Sequence, residues 1–194
     1  MNVEPSFANV MYTVLPITLA NVFHMFVVKS NRLQSLAWPI DRGKSWRGKR
    51  IFGDHKTWRG LSVIVLTTAL FCLWQSIAEN FAPHLREYNL ISYSAVPWWQ
   101  VGACWGLGYA LAEFPNSFAK RQIGVSAGKG RAGVIGAILV FVDQADSAIG
   151  VAVASMWGLG LSAEAALWIA IYCTALHLVI NFLLGLSKVR KRAL

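Results

Sequence analysis

Hydrophobic residues along this chain collect into five long stretches separated by polar segments. Each stretch is close to the roughly 20 residues that an α-helix needs to cross the hydrocarbon core of a bilayer. The pattern predicts an all-α integral membrane protein, a single bundle of about five transmembrane helices in which residues 1–194 form one membrane-embedded domain. The predicted spans are residues 7–28, 61–78, 96–114, 132–157 and 163–187.

The first stretch is expected to remain in the protein as a transmembrane helix. No basic residue precedes it, and its apolar run is longer than the roughly 7 to 15 residues of a signal-peptide core. Composition supports the membrane assignment, because 56% of the residues are hydrophobic and only 14% are charged. A soluble domain of this size could not bury so much apolar surface.

The basic residues predict how the chain is oriented in the membrane. Seventeen of the 18 lysines and arginines lie between the first and second stretches, between the third and fourth, or after the fifth, and only Arg86 lies elsewhere. Basic loops face the cytoplasm, so the amino terminus is expected outside and the carboxyl terminus inside. This predicts a multi-pass protein of the cytoplasmic membrane. The net charge of +9 follows largely from this topology and does not indicate nucleic-acid binding.

Small residues are expected to let the helices approach closely. Gly102 and Gly106 are four residues apart in the third span, and Gly133 and Ala137 are four apart in the fourth. Pro16 in the first span predicts a kink. The three cysteines fall inside predicted spans without a C-x-x-C pair, and the four histidines are scattered, so neither a disulfide framework nor a zinc site is indicated.

Two carboxylates interrupt the fourth apolar stretch. Asp143 and Asp146 are three residues apart, so on a helix they share one face with Cβ atoms about 5–6 Å apart. An ionised carboxylate in hydrocarbon is costly, and ionisable residues in membrane helices usually serve function. The pair favours a divalent-metal site. The alternative is a pair of packing or salt-bridge partners in a water-filled cleft.

Further polar groups gather where the third span meets the cytoplasm. Pro115 is expected to break or kink the helix end, and Glu113, Asn116 and Lys120 would then share one face if the helix resumes. Glu113 and the aspartate pair are the natural ligands for a hard cation such as Mg²⁺. Together these five groups are predicted to line a hydrophilic cavity that opens to the cytoplasm.

The first cytoplasmic loop combines glycine with basic residues. Glycines at positions 43, 48, 53 and 60 alternate with lysines and arginines, a composition that suits a phosphate cradle. The alternative is a solvated loop that merely follows the basic asymmetry of the topology. The start of a P-loop is present, but Arg50 replaces the Ser or Thr that holds magnesium, and no strand precedes it, so that match is rejected.

Three motifs carry a resemblance to a known family. GKRIFGDHKTWRG at 48–60, PNSFAKR at 115–121 and VDQADS at 142–147 occur in this order on the predicted cytoplasmic side. The chain resembles the CDP-archaeol synthase family, a small branch of the CDP-diacylglycerol synthase-like cytidylyltransferases. His177 and Asn181 in the last span resemble a pair near the end of that family.

The resemblance implies that CTP and a membrane phosphatidic-type lipid give a CDP-lipid and pyrophosphate, with Mg²⁺ as cofactor. Asp143 and Asp146 would hold the metal and, with Lys120, form the catalytic set. The lipid phosphate is itself the nucleophile, so the reaction needs positioning and charge neutralisation rather than an activated side chain. The residues assigned to substrate binding are Lys56, Thr57, Arg59, Arg50, Asn116, Ser117 and Arg121.

Several alternatives remain open at this point. The enzyme could be a CDP-diacylglycerol synthase acting on diacyl phosphatidic acid, although the larger bacterial enzymes carry further His-Gly-Gly and Asp-Arg-x-Asp motifs. A CDP-alcohol phosphotransferase would need a longer aspartate series than the single Asp-x-x-Asp here. A cation channel or carrier would use the aspartates but leave the basic loops unexplained, and an inactive scaffold would retain the motifs. The sequence also leaves open whether the protein is a homodimer.

Overall fold

The computed structural model describes residues 5–127 and 133–186, with side chains up to residue 180 in the last helix. It confirms the helical membrane fold, while the termini predicted to lie on opposite sides fall outside the described residues. The helices are α1 (Phe7–Thr13), α2 (Leu15–Lys29), α3 (Trp58–Phe81), α4 (Trp98–Gln122), α5 (Gly133–Leu159) and α6 (Ala163–Leu186).

The first predicted span is divided into two helices. Their axes differ by 48° across a break at Val14. Pro16 lies in the first turn of α2, where its missing N–H leaves no helical carbonyl unpaired, so the expected kink occurs just before the proline. Among the described residues, α3, α5 and α6 are long and apolar enough to cross a membrane, and α1 with α2 makes a fourth if the bent pair is one span.

Helix α4 differs from the prediction at its end. It continues through Pro115 to Gln122, so the predicted break at the proline does not occur. This helix is as long as its neighbours but less apolar, and it packs mainly between α3 and α5. The surrounding helices therefore cover much of its surface. The five-span topology stays a prediction.

Glycines bring α3 and α4 into close contact, as predicted. A Cβ atom added to Gly102 would lie 2.3 Å from the Ala69 Cα, and one added to Gly106 would lie 2.5 Å from the Val65 Cα. Both distances are far below van der Waals contact. Any larger residue at either position would push the two helices apart.

A second close contact joins α4 to α5. A Cβ on Gly150 would lie 2.1 Å from the Gly108 carbonyl oxygen, and a Cβ on Gly108 would lie 2.6 Å from the Gly150 oxygen. The predicted role of Gly133 in such packing is wrong. Gly133 adopts φ of +78° at the start of α5, and among the described residues no atom lies within 4 Å of an added Cβ, so its glycine character serves the backbone conformation.

The loop between α2 and α3 contains a short hairpin that the sequence did not predict. Strands β1 (Ser45–Trp46) and β2 (Lys49–Arg50) pair antiparallel, with Ser45 opposite Arg50. The Lys49 ammonium donates to the Gln122 carbonyl, and the Phe52 ring stacks on Phe114 with centroids 4.9 Å apart. The loop is thus held against the carboxyl end of α4. We call this end of the bundle the basic end.

The opposite end is closed by residues 82–97, which include a 3₁₀ helix at Pro83–Tyr88. Asn89 Nδ2 donates to Glu79 Oε1 at 2.7 Å, and the Tyr93 hydroxyl donates to Gln75 Oε1 at 2.6 Å. Gln75 Nε2 in turn donates to the Tyr12 carbonyl at 2.6 Å. These neutral donors tie the segment to α1 and α3.

Candidate functional site

The two aspartates of α5 face α4 and converge on one amide. Asn116 Nδ2 donates to Asp143 Oδ1 at 2.6 Å and to Asp146 Oδ2 at 2.7 Å. The Lys120 ammonium forms an ion pair with Asp143. The Asp143 side chain is 43% exposed, so the group opens to the surroundings. We call these four residues the aspartate cluster.

Helix geometry explains why the cluster forms. Asn116 and Lys120 are four residues apart on α4, and Asp143 and Asp146 are three apart on α5, so each pair shares one helix face. The helices run antiparallel, which places Asn116 against both aspartates and Lys120 against Asp143. The close Gly108–Gly150 contact, further along the same interface, brings the two faces within hydrogen-bonding distance.

A cavity of about 270 Å³ lies beside the cluster, between α2, α3, α4 and the first basic loop. Its polar lining includes Lys56, Thr57, Arg59 and Glu113. Of the five groups predicted to line one hydrophilic cavity, Glu113 alone lines this one. The other four lie in the adjacent α4–α5 cluster because they occupy the α5-facing side of the interface.

Glu113 pairs with a lysine, whereas the sequence predicted that it shares a metal site with the two aspartates. Its carboxylate forms an ion pair with Lys56, and both side chains are about one-quarter exposed, at 24% and 23%. In residues 5–127 and 133–186, no group of three or more His, Cys, Asp or Glu side chains is arranged to hold a metal ion. The structure therefore brings together the two aspartates but not all three predicted carboxylates.

The first basic loop is organised around Asp41, whose side chain is 0% exposed. Its carboxylate accepts hydrogen bonds from Arg50 Nη2 at 2.8 Å and from the backbone N–H groups of Gly43, Phe52 and Gly53 at 3.0, 2.9 and 2.9 Å. Burial alone would raise the pKa of Asp41, but the Arg50 and backbone hydrogen bonds outweigh it and hold this pKa below its usual range. The loop therefore has a preformed shape.

Arg50 has a structural partner at each side. Besides Asp41, it contacts Asp54 Oδ1 at 2.9 Å, and the hydrogen bond to Asp41 raises the pKa of the guanidinium. Thr57, also predicted to bind substrate, caps α3: its Oγ1 accepts from the Gly60 N–H at 3.1 Å. Ser117 is buried within α4. These three residues shape the site in this structure.

Arg121 and Arg59 retain unused donors. Arg121 Nε and Nη1, and Arg59 Nε, are buried without hydrogen-bond partners in the part of the chain that the structure describes. A Cβ on Gly53 would come within 3.1 Å of Arg121 Nη1, so the glycine makes room for the guanidinium. Buried cationic donors without partners are suited to bind an anion.

A polar chain inside the bundle was not predicted as a whole. The Tyr109 hydroxyl donates to Asn21 Oδ1 at 3.0 Å, and Asn21 Nδ2 lies 3.0 Å from His177 Nε2. The family resemblance singled out His177, whereas the side chain of Asn181 lies outside the described residues. Asn21 could have been noticed as an amide within an apolar span, the same signal that revealed the aspartates.

The chain matches one known protein family over almost its whole length. The family model described as CarS-like, CDP-archaeol synthase, matches residues 6–190. The chain belongs to the CDP-archaeol synthase family. A family member from Halorubrum lacusprofundi is 33% identical over 164 residues, covering 77% of this chain and 82% of that protein. The CDP-archaeol synthase of Pyrococcus furiosus is 34% identical over 91 residues, a stretch that spans 46% of this chain and 48% of the relative.

A solved structure has the same fold as this CDP-archaeol synthase family member. It is described as an intramembrane enzyme for archaeal membrane lipids biosynthesis, and it superposes with a TM-score of 0.60 over 89% of this chain and 92% of its own. Sequence identity to it is 21%. The resemblance recognised from the three motifs is confirmed.

Proposed function

We propose that this protein is a Mg²⁺-dependent cytidylyltransferase that joins CTP to a membrane phosphatidic-type lipid at its basic end. One observation carries the proposal: two membrane-embedded carboxylates converge within hydrogen-bonding distance of a single point on α4. Like charges so close together need a cation or hydrogen-bond donors to compensate them. Among the family's expected substrates, a metal-bound nucleotide fits this requirement.

The donor set suits magnesium. Asp143 and Asp146 supply carboxylate oxygens, the ligand type that Mg²⁺ prefers, and Mg²⁺ typically takes one or two carboxylates together with substrate phosphates and water. Two aspartates without a third carboxylate fit this coordination pattern. When bound, the ion would neutralise charge on the nucleotide phosphates. Asn116 and Lys120 now compensate the aspartate charges and would be free to turn towards the phosphates.

The positive groups around the cluster would bind the remaining phosphate charge. Lys120 follows Asn116 by one helical turn, and the next residue, Arg121, has two buried nitrogens without partners among the described residues. Guanidinium groups bind phosphate through paired hydrogen bonds. The loop built on Asp41 would hold the hairpin beside these groups, which spares the ordering cost when nucleotide binds.

The reaction balances without an activated protein nucleophile. An oxygen of the lipid phosphate attacks the α-phosphorus of CTP, a new P–O bond forms, and the bond from that phosphorus to the bridging oxygen of the β-phosphate breaks. Pyrophosphate leaves with the bond's electron pair. Positioning and electrostatic stabilisation supply the catalysis in this class of transfer. Lys120 and Arg121 are suited to stabilise the charge that develops on the leaving group.

The test is a turnover assay with purified protein, labelled CTP and Mg²⁺, with ether-linked and diacyl phosphatidic acids supplied in separate reactions. We expect a CDP-lipid and pyrophosphate in equal amounts, with the archaeal-type ether lipid preferred as the family relationship suggests. Product on diacyl lipid alone would identify the enzyme as a CDP-diacylglycerol synthase. No product on any lipid, from protein shown to be folded, would contradict the proposal.

A further inference from the structure

We propose that the cavity between α2, α3, α4 and the first basic loop binds the phosphate end of the lipid substrate, with His24 as one of its phosphate-binding residues. This inference rests on the proposed function and divides its two substrates between neighbouring sites. The nucleotide would occupy the aspartate cluster. The lipid phosphate would occupy the cavity.

The lining of the cavity combines charged and apolar residues. Lys56, Arg59 and the His24 ring are accompanied by two carboxylates, Asp54 and Glu113, which are paired with Arg50 and Lys56. The apolar part of the lining includes Val28 and Ile64 from the membrane helices. A lipid phosphate combines an anionic head with an apolar stem, whereas the triphosphate of a nucleotide is anionic along its whole length. The lining therefore matches the lipid better than the nucleotide.

His24 and Thr57 face one small space at the start of α3. A Cβ added to Gly60 would lie 3.4 Å from His24 Nε2 and 3.6 Å from Thr57 Oγ1. The missing side chain of Gly60 keeps the space between these polar atoms open. His24 lines the same cavity as Glu113, Lys56 and Arg59. An anion in this space would meet the positive end of the α3 helix dipole as well.

The Arg59 guanidinium is fixed in place but keeps one donor without a partner among the described residues. Its Nη1 donates to the Arg32 carbonyl at 3.0 Å, which fixes the guanidinium, while its buried Nε has no hydrogen-bond partner among the residues described. A buried donor left unpaired is costly and is satisfied when an acceptor binds. Phosphate oxygens are strong acceptors for guanidinium groups. Arg59 is therefore positioned to complete a phosphate site.

The location of the cavity suits both access and reaction. It lies where α2 ends at Lys29 and α3 begins at Trp58, at one end of the apolar helices and thus at headgroup depth. A lipid could enter without leaving the bilayer. Glu113, in the cavity wall, precedes Asn116 of the aspartate cluster by three residues on α4, about one helical turn. The two sites are thus adjacent.

Binding can be measured without turnover in separate titrations of the full-length protein in detergent. The ligands are a short-chain ether-linked phosphatidic acid, dioctanoyl phosphatidic acid, and CTP with Mg²⁺. We expect His24→Ala and Arg59→Gln to weaken lipid binding about tenfold, as the loss of a hydrogen bond to a charged group predicts. CTP affinity should stay within about twofold. His84→Ala, on the exposed segment at the opposite end, is the matched control and should change neither affinity.

Gly60→Ala provides a variant that should fold normally. Alanine is the better helix former by about 1 kcal/mol, and its methyl group would occupy the space between His24 and Thr57 at ordinary contact distances. We expect lipid binding to weaken several-fold while the thermal stability holds or rises. Unchanged lipid binding in all three cavity variants would overturn the inference.

The separate lipid, CTP and phosphate titrations distinguish a failure of the lipid site from a failure of the proposed transfer reaction. Weakened CTP binding with unchanged lipid binding would make the cavity a nucleotide site and overturn the inference. Inorganic phosphate that competes as well as the lipid would contradict a role for the apolar lining residues and overturn the inference. If the wild type binds lipid through these residues but produces no CDP-lipid, the proposed transfer fails while the lipid site stands.

Discussion

The carboxylates at the two ends of the helical bundle differ in their exposure and in their partners. At the opposite end, Glu79 is 4% exposed and accepts a hydrogen bond from Asn89, a neutral donor fixed by the chain around it. At the basic end, Asp143 and Asp146 share the Asn116 amide, and Asp143 is also paired with the Lys120 ammonium and is 43% exposed. Within residues 5–127 and 133–186, every ion pair lies at the basic end.

Under the proposed function, this difference separates a structural use of membrane-embedded polar groups from a functional one. A fully buried carboxylate that is satisfied by a neutral donor stabilises one conformation, and removing it leaves the partner unpaired. A carboxylate compensated by long charged side chains can exchange those partners for a metal or a substrate. We therefore expect mutations at the opposite end to change stability and mutations in the aspartate cluster to change activity.

The largest expected effect is on catalysis. Asp143→Asn and Asp146→Asn should each lower CDP-lipid formation by roughly a thousandfold or more, because a neutral amide cannot replace an anionic ligand or its charge compensation. The thermal unfolding temperature should hold or rise in Asp146→Asn, where a partly desolvated charge is removed. It should change little in Asp143→Asn, because this side chain is 43% exposed and exposed ion pairs contribute little stability. Initial rates at saturating CTP and melting curves in the same detergent measure both. Near-normal turnover in either variant would place the aspartates among the structural groups.

Glu79→Ala should show the opposite behaviour. It leaves the Asn89 amide without its acceptor and creates a small void, so we expect a loss of about 2–4 kcal/mol of stability. The turnover number of the protein that stays folded should be close to that of the wild type. Glu79→Gln, which keeps an oxygen acceptor, is the control and should lose much less stability. Selective loss of turnover in Glu79→Ala, with stability intact, would remove the distinction between the two ends.

Gly150→Ala tests how far the cluster depends on helix spacing. The added Cβ would lie 2.1 Å from the Gly108 carbonyl oxygen, so α4 and α5 must separate. We expect a stability loss of about 1–3 kcal/mol, in the range of other overpacked cores. Activity should fall further than stability explains, because Asn116 would move away from the aspartates. Gly133→Ala, where an added Cβ meets no atom of the described residues but φ is positive, is a control for backbone strain.

The smallest effect concerns the first basic loop. Asp41 has a lowered pKa, so its stabilisation is complete above the ordinary aspartate pKa of about 4 and is lost only when the pH falls through the lower folded value. Hydrogen exchange of residues 40–57 should therefore show no loss of loop stability in the wild type between about pH 7 and pH 5, after correction for the intrinsic exchange rate. Asp41→Asn should lower the stability of this loop by about 1–2 kcal/mol at both pH values. Equal protection in both proteins would mean that Asp41 does not hold the loop.

The arrangement of polar groups at the basic end could be predicted from the sequence better than the arrangement at the opposite end. The aspartate pair stood out because charge is rare in an apolar stretch, and helical spacing placed Asn116 and Lys120 on one face. The opposite end gave no such signal. Its contact between Glu79 and Asn89 depends on how residues 82–97 fold back, which no local periodicity records.

Other features could not be read from spacing alone. Gly108 and Gly150 are visible as glycines, but a sequence does not say which helix each one faces. Arg50 was expected to bind substrate because it lies in a basic motif, yet its partner Asp41 lies nine residues earlier, across the hairpin. His24 is one of four histidines scattered along the sequence, and its position in the cavity wall depends on helix packing that the sequence does not show.

The most direct test of the central claim is metal binding at the aspartate cluster. Mn²⁺ shares the preference of Mg²⁺ for carboxylate and phosphate oxygens and is detected by electron paramagnetic resonance. With saturating CTP, the wild type should bind Mn²⁺ tightly, and the Asp143→Asn/Asp146→Asn double variant should bind it at least about a hundredfold more weakly, whereas Glu79→Gln should bind it as the wild type does. Equal Mn²⁺ affinity in the wild type and the double variant would contradict the assignment of this site.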